Sequence, residues 1–455
     1  MTDSGFGKPI RLCEWSSADV ELSEEQRRVI EEAALHWKIA NNLSQPPLEF
    51  TGSQGKTINT REYVGVIEVA DVVIEIFPKL DKRLVEKSTV DDEIAGSVMV
   101  DLLWLLDISG HFGINEIDDA GIKESPENFF DVFAILMGKH LLAELNVGLP
   151  HTYVKLSDDS RMVRGKICLL DQITRNMNRY DLISCEWDEF TPDMPMNQLF
   201  KCSCRFLQQH VQDGGAFKVL TDCITQLEDI TDVDPLTALT GVMGHRWDRH
   251  TERFRIVFDL AKRLLQGCGY MLSAGDATTF VFLLNMNKVF EDYVKAVLEA
   301  SFNVGIETQK MVGELFPQLP KGRVLQKADY YWCSKDGVFW VGDAKYKHLT
   351  KDQSSALFFE QLPDEEGNDY SAPAGSVISP NDIRQLTVYA ELVRRNNKEK
   401  IVPNILLCYP FIGDGKFASD TRPAWNNSNF TLCPVKMKRQ ANLKNVLPQD
   451  IQETS

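Results

Sequence analysis

No apolar run in this 455-residue chain reaches the roughly 18 residues that a membrane-spanning helix needs. The best candidate, VMVDLLWLLDI, is broken by Asp101 and Asp107, so no membrane anchor is expected. The opening MTDSGFGKPIRL lacks the basic-then-apolar order of a secretory signal, and a cytoplasmic location is the expectation. Regular cysteine spacing is missing as well. The ten cysteines are scattered and read as reduced thiols rather than a disulfide framework. Cys202 and Cys204 have no second pair, and His245 and His250 have no cysteine beside them, so neither set reads as a zinc site. Positive charge is also short, with a formal net charge of −17. A protein that binds DNA unaided normally carries a basic face, because phosphate contacts supply much of the affinity; DNA would have to be delivered with help. Nor is there a phosphate-binding loop: around Gly415-Lys416, position 410 is proline and position 417 phenylalanine, where the motif needs glycine and a hydroxyl residue. Repeats and low-complexity tracts are absent.

What is present reads as a mixed α/β (α+β) multidomain chain. Ser23 and Gln26 form a capping box for a helix running towards Ile39. Glu62 to Ile67 and Val72 to Ile76 read as strands covered on both faces, the second stopped by Pro78. Helical spacing returns in VMVDLLWLLDISG and in NFFDVFAILMGKHLLAELNVGL, which Gly148 ends. Tyr153 to Leu170 looks extended, with Arg164-Gly165-Lys166 as an edge turn. CEWDEFTPD reads as an acidic loop, its Glu186, Asp188, Glu189 and Asp193 a solvated charge run, leading into a helix from Met196. Asp234 caps a mostly helical stretch from Pro235 to Gly267. Phe282 to Phe302 has an apolar helical stripe of Met286, Phe290, Val294 and Val297, with Glu291 beside it. Leu362 to Pro380 is the expected long loop. Asn381 to Arg394 is a helix with Gln385 and Tyr389 one turn apart, and Ile401 to Tyr409 is a buried strand. The expected segments are 1–195, a mixed N-terminal half of strands and helices; 196–275, a helical connection; and 276–455, a small α/β core.

That core is organised around KADYYWCSKDGVFWVGDAKYK, residues 327–347. It reads as two strands joined by Lys335-Asp336-Gly337, with Gly337 in the left-handed position. This pairing sets Asp329 opposite Asp343, with Lys345 on the same face. Opposed carboxylates with Cβ atoms roughly 4.5–5.5 Å apart repel unless a cation sits between them. Two hard oxygen ligands suit Mg²⁺, and a neighbouring lysine can act on a water or on charge developing at a phosphate. The window from Gly275 to Thr350 is neutral, with nine basic and nine acidic residues; Lys321, Arg323, Lys327 and Lys347 could form a local phosphate track.

The order Glu291, Asp329, Asp343-Ala344-Lys345, then Gln385 and Tyr389 resembles the PD-(D/E)xK nuclease superfamily, the Gln385/Tyr389 pair its RecB-like branch. Asp329 follows Ala328 rather than proline, and the second acid is aspartate where many members have glutamate. YVGVIEVADVVIEIFPKL, FDVFAILMGKHLLAELNVGL, VRGKICLLDQITRN, CEWDEFTPDMPMNQLFK and FLLNMNKVFEDYV look like the McrC family, the nuclease subunit of the McrBC modification-dependent restriction system. The resemblance implies a C-terminal PD-(D/E)xK restriction-endonuclease-like core and an Mg²⁺-dependent endonuclease. It further implies cutting of methylated double-stranded DNA together with an McrB-like AAA+ GTPase ring, into which the N-terminal half docks and whose hydrolysis the chain stimulates. By the same carry-over Asp329, Asp343 and Glu291 hold the metal, Lys345 acts on the attacking water and Gln385 assists. An inactive adaptor of an AAA+ motor and a stand-alone structure-specific nuclease are the competing functions.

Overall fold

A computed structural model describes residues 9–111, 126, 128–268, 279–314, 325–335, 337–346, 380–396, 402–412, 417–424, 428–440 and 443–453, apart from the pairs 53–54, 70–71 and 85–86. Residues 1–132 with 270–455 form one compact unit, and 133–269 form a second. The architecture is mixed α/β, with four sheets among the described residues.

The first unit begins with β1 (Ile10–Cys13), β2 (Ser17–Asp19), α1 (Glu24–Ala40), β3 (Leu48–Thr51), β4 (Thr57–Thr60), β5 (Tyr63–Val69), β6 (Val72–Phe77) and α2 (Asp92–Leu106). The capping box at α1 forms: Ser23 Oγ accepts from the Gln26 amide at 3.1 Å, and Gln26 Oε1 accepts from the Ser23 amide at 3.0 Å. Ile30, Ala34 and Trp37 of α1 share a core with Ile67, Ile74 and Ile76 of the β5–β6 hairpin. Every residue of β5 is buried, which explains its weak alternation.

Helix α3 (Phe129–Val147) leads into the second unit, which continues with β7 (Thr152–Ser160), β8 (Lys166–Ile167), α4 (Leu169–Arg175), β9 (Ile183–Thr191), α5 (Pro195–Gln208), α6 (Gly214–Gln226), α7 (Pro235–Gly241) and α8 (Arg255–Cys268). The acidic segment expected as a loop is instead β9, the central strand between β7 and β8. Its carboxylates are tolerated because this sheet is largely solvated: six consecutive residues of β7 are exposed. The stretch expected as mostly helical from Pro235 to Gly267 is broken between α7 and α8. Gly244 takes φ +74° there, and Asp248 accepts from the His250 and Thr251 amides at 2.8 Å each, an Asx turn that competes with the helix. Asp234 caps α7, accepting from Leu236 and Thr237. Cys202, Cys204 and Cys223 are buried and free, and His245 packs on Trp247 and Phe258.

The chain returns to the first unit with β10 (Thr279–Asn285), α9 (Met286–Phe302), β11 (Glu307–Glu314), β12 (Leu325–Cys333), β13 (Phe339–Ala344), α10 (Pro380–Asn396), β14 (Asn404–Phe411), β15 (Asp420–Pro423), β16 (Asn429–Lys436) and α11 (Gln449–Glu453). The helix expected from Phe282 starts at Met286. Residues 279–285 are a strand because they pair antiparallel with the whole of β5, Val281 opposite Ile67 and Leu283 opposite Gly65. Gly65 is required there: a Cβ at that position would stand 2.1 Å from the Phe282 carbonyl oxygen. Asn285 ends the strand and caps α9, its Oδ1 accepting from the Asn287 amide at 2.9 Å.

The second large sheet has the order β11-β12-β13-β14-β16-β15, with β13, β14 and β16 parallel. Val341, Ile405 and Leu407 share a core with Leu386 and Tyr389 of α10. Trp332 and Trp340 stack at 5.6 Å and meet Phe302 of α9. By strand alternation the two helices therefore flank opposite faces. Of the loop expected over Leu362 to Pro380, residues 362–379 lie outside the described residues, and Pro380 instead begins α10.

Candidate active site

The turn between β12 and β13 closes through the Ser334 amide to the Val338 carbonyl at 2.8 Å and the Gly337 amide to the Ser334 carbonyl at 3.0 Å. Gly337 has φ +80°, the left-handed conformation read from the sequence; Asp336 lies outside the described residues. The ladder pairs Trp332 with Trp340, Tyr331 with Val341 and Tyr330 with Gly342. One step further along, this register sets Asp329 beside Asp343. At the end of β13 the Lys345 amide donates to the Cys408 carbonyl at 3.0 Å, and the Tyr346 hydroxyl bonds Glu14 Oε1 at 2.6 Å. Lys345 is thus tied down at its own amide and through the side chain of its neighbour Tyr346.

Asp343 is only 2% exposed. Burial, then the hydrogen bond and charge of Asp329, push its carboxyl up to about 8 against the opposing pull of Lys345. Without a cation, the carboxylate pair therefore retains a proton at neutral pH. Lys345 Nζ lies 2.7 Å from Asp343 Oδ2, yet that buried oxygen has no hydrogen bond of acceptable direction. The contact is a charge pair alongside the carboxylate rather than a directed bond. For Lys345, burial opposes the charged form, but Asp343, Asp329 and Asp382 outweigh it and raise its pKa. Its amine stays an ammonium.

Glu291, half-buried on α9, is raised by burial and then by the charge of Asp329. Its Oε2 lies 3.5 Å from Lys288 Nζ, and its backbone carbonyl accepts from the Tyr330 hydroxyl at 2.7 Å, fixing that turn of α9 against β12. Among the described residues no three His, Cys, Asp or Glu side chains are grouped to hold a metal, so Glu291 is near the aspartates without completing a three-ligand set. Gln385 is exposed and gives its amide to the Tyr389 hydroxyl. Lys327 is exposed; Lys321, Arg323 and Lys347 lie outside the described residues.

Two residues escaped the sequence reading. Gln309 on β11 donates from Nε2 to Asp329 Oδ1 at 2.9 Å. Asp382, buried in the first turn of α10, contributes to the field that keeps Lys345 charged. An alternating strand reading of Glu307 to Glu314 was the available signal for the first; the second has only its position three residues before Gln385.

A family model described as "McrBC 5-methylcytosine restriction system component" matches residues 58–410, a span that contains all the residues above except Glu14. The chain belongs to the McrBC family. The recognition made from the sequence is borne out, and this McrBC-family chain is a component of a restriction system. Among solved structures, a refined half-complex from a tetradecameric assembly of Thermococcus gammatolerans McrB AAA+ hexamers with bound McrC contains a chain 19% identical to it. That match has a TM-score of 0.65 and covers 98% of this chain and 100% of the other, so the fold is shared end to end. A cryo-EM structure of the Thermococcus gammatolerans McrBC complex matches at 20% identity over 66% of this chain and 90% of the other, with a TM-score of 0.46. No curated protein matches the chain.

Proposed function

We propose that this McrBC-family chain is the DNA-cutting subunit of its system, a cytoplasmic Mg²⁺-dependent endodeoxyribonuclease with a PD-(D/E)xK core in residues 276–455. The observation that carries this reading is the pairing of half-buried Asp329 with buried Asp343, with an ammonium beside them. The pair suits a divalent cation. It offers two hard carboxylate donors, burial and then the neighbouring Asp329 raise Asp343, and Asp343 Oδ2 lacks a directed hydrogen bond. Bound there, Mg²⁺ would supply Lewis-acid polarisation of a phosphate and a more acidic water. Asp329 and Asp343 would hold it, and Asp343 would give up its proton in doing so. Glu291 is the proposed third ligand, drawn in from α9, and Gln385 a more distant contact to the DNA backbone. Lys345, held charged by three carboxylates, is suited to stabilise negative charge growing on the scissile phosphate rather than to take a proton.

The proposed partner is an AAA+ NTPase ring, as in the McrB assembly that the shared fold brings to mind. The second unit supports this reading. Helix α4 buries none of its residues, and Leu169, Leu170, Ile173, Met177 and Tyr180 are all more than half exposed. A small sheet solvated on its faces and carrying such a patch is poorly self-sufficient and marks an interaction surface. Methylated double-stranded DNA would reach the site through that partner, in keeping with the chain's charge of −17.

The test is cleavage by the purified complex of this chain with its AAA+ partner, given Mg²⁺ and GTP or ATP, on methylated and unmethylated DNA. Cutting of the methylated substrate by the complex alone is expected. No cutting by the wild-type complex would favour an adaptor that activates the motor, and cutting without the partner would favour a stand-alone nuclease.

A further inference from the structure

We infer that Gln309 is a positioning residue for Asp329, held in a strained backbone conformation so that its amide fixes one oxygen of that carboxylate. Strand β11 pairs with β12 through Thr308 opposite Tyr330 and Lys310 opposite Ala328. Gln309 lies between these pairs, next to Asp329, with φ +52°. A left-handed conformation inside a strand is uncommon for a residue with a Cβ and is not one that glutamine favours. The ladder does not demand it. The register is the same on both sides of Gln309, and the irregularity of β11 falls later, between Met311 and Gly313. What the conformation accompanies is the 2.9 Å hydrogen bond from Gln309 Nε2 to Asp329 Oδ1. A neutral amide can hold a carboxylate without competing with a cation for it. With Oδ1 engaged, Oδ2 is the oxygen left for a metal, and the side chain enters binding already oriented. Local strain retained at a site of this kind is a common companion of pre-organisation.

The inference rests on the proposed metal-binding role of Asp329 and Asp343, and the experiment separates the two. The full-length chain is titrated with Mn²⁺ by calorimetry as wild type, D343N, Q309A and Q309G, and each protein is also melted. Wild type should bind and D343N should not. Q309A and Q309G should bind about 10- to 100-fold more weakly, the range seen when a residue that orients a metal ligand is lost. Q309G, which adopts positive φ freely, should melt no lower than wild type. Unchanged Mn²⁺ affinity in Q309G overturns the inference while leaving the metal site standing. Weaker binding accompanied by a lower melting point of Q309G also overturns it, because glutamine would then be serving the strand. Absence of Mn²⁺ binding by wild type overturns the metal-site reading and the inference together.

Discussion

Two antiparallel strand pairs of this chain break the usual rules of burial in opposite ways. The β12–β13 hairpin lies between α9 and α10 and buries a carboxyl group, Asp343, on the same face as Val341 and opposite to that of Trp332 and Trp340. The β7–β9 pair exposes apolar side chains, and the adjoining α4 buries nothing. Charge inside and oil outside are both unfavourable for the isolated chain. On the proposed function, each penalty would be removed by a binding partner. A cation would do so for the first pair and a protein surface for the second. The contrast separates the chemistry from the docking: changes at one should leave the other untouched.

The sharpest way to break this contrast is Asp343→Ala. Cleavage should fall by about 10³-fold or more, since removing a preorganised electrostatic group alone costs about 10²- to 10³-fold. Partner binding and NTPase stimulation should persist in the same preparation. Loss of all three activities would make Asp343 a structural residue. Lys345→Ala should reduce cutting about 10²-fold while metal binding by calorimetry is kept; unchanged turnover would remove the lysine from the chemistry.

At the other pair, the double change Leu169→Glu with Leu170→Glu should weaken association with the AAA+ partner by about 2 kcal/mol or more, close to 30-fold. The variant's own melting should stay within about 0.5 kcal/mol of wild type. Equal affinity measured by analytical ultracentrifugation would move the docking surface elsewhere. A direct stability comparison sharpens the same point: Ile405→Ala, in the core beside Val341, should cost about 2–5 kcal/mol in urea, and Leu170→Ala about 0.5 or less.

The last prediction is a slope. Asp343 in the fold retains a proton up to about pH 8, whereas the unfolded chain releases it near pH 4. The unfolded state therefore binds fewer protons across that window, and metal-free stability should fall as pH rises through it, by at most about 1.4 kcal/mol per pH unit, levelling above about pH 8. Urea midpoints in chelator should show this for wild type and a flatter profile for Asp343→Asn. For the same reason metal affinity should strengthen with pH over that window.

The geometry of the hairpin was legible in the sequence because turn chemistry sets register. Once Gly337 takes the left-handed position, every opposed pair follows, Asp329 and Asp343 included. The caps at Ser23 and Asp234 were legible for an equally local reason. Where reading failed, the deciding interaction was remote. Strand β9 carries acids that look like a loop until β7 and β8 supply its ladder. Residues 282–285 fit the helical stripe of α9 until β5, more than two hundred residues earlier in the chain, claims them as a strand. Gln309 could be placed on a strand, but its left-handed dihedral angle has no compositional signature.

The pairing of β10 with β5 has a practical corollary for dissecting this chain. A fragment started at the apparent border near residue 276 would carry Val281, Phe282 and Leu283 into solvent on a bare edge, stripped of the only neighbour that strand has among the described residues of its sheet. The helix bearing Glu291 grows directly out of that strand. Trimming away the first eighty or so residues would thus unmoor the scaffold beneath the carboxylates.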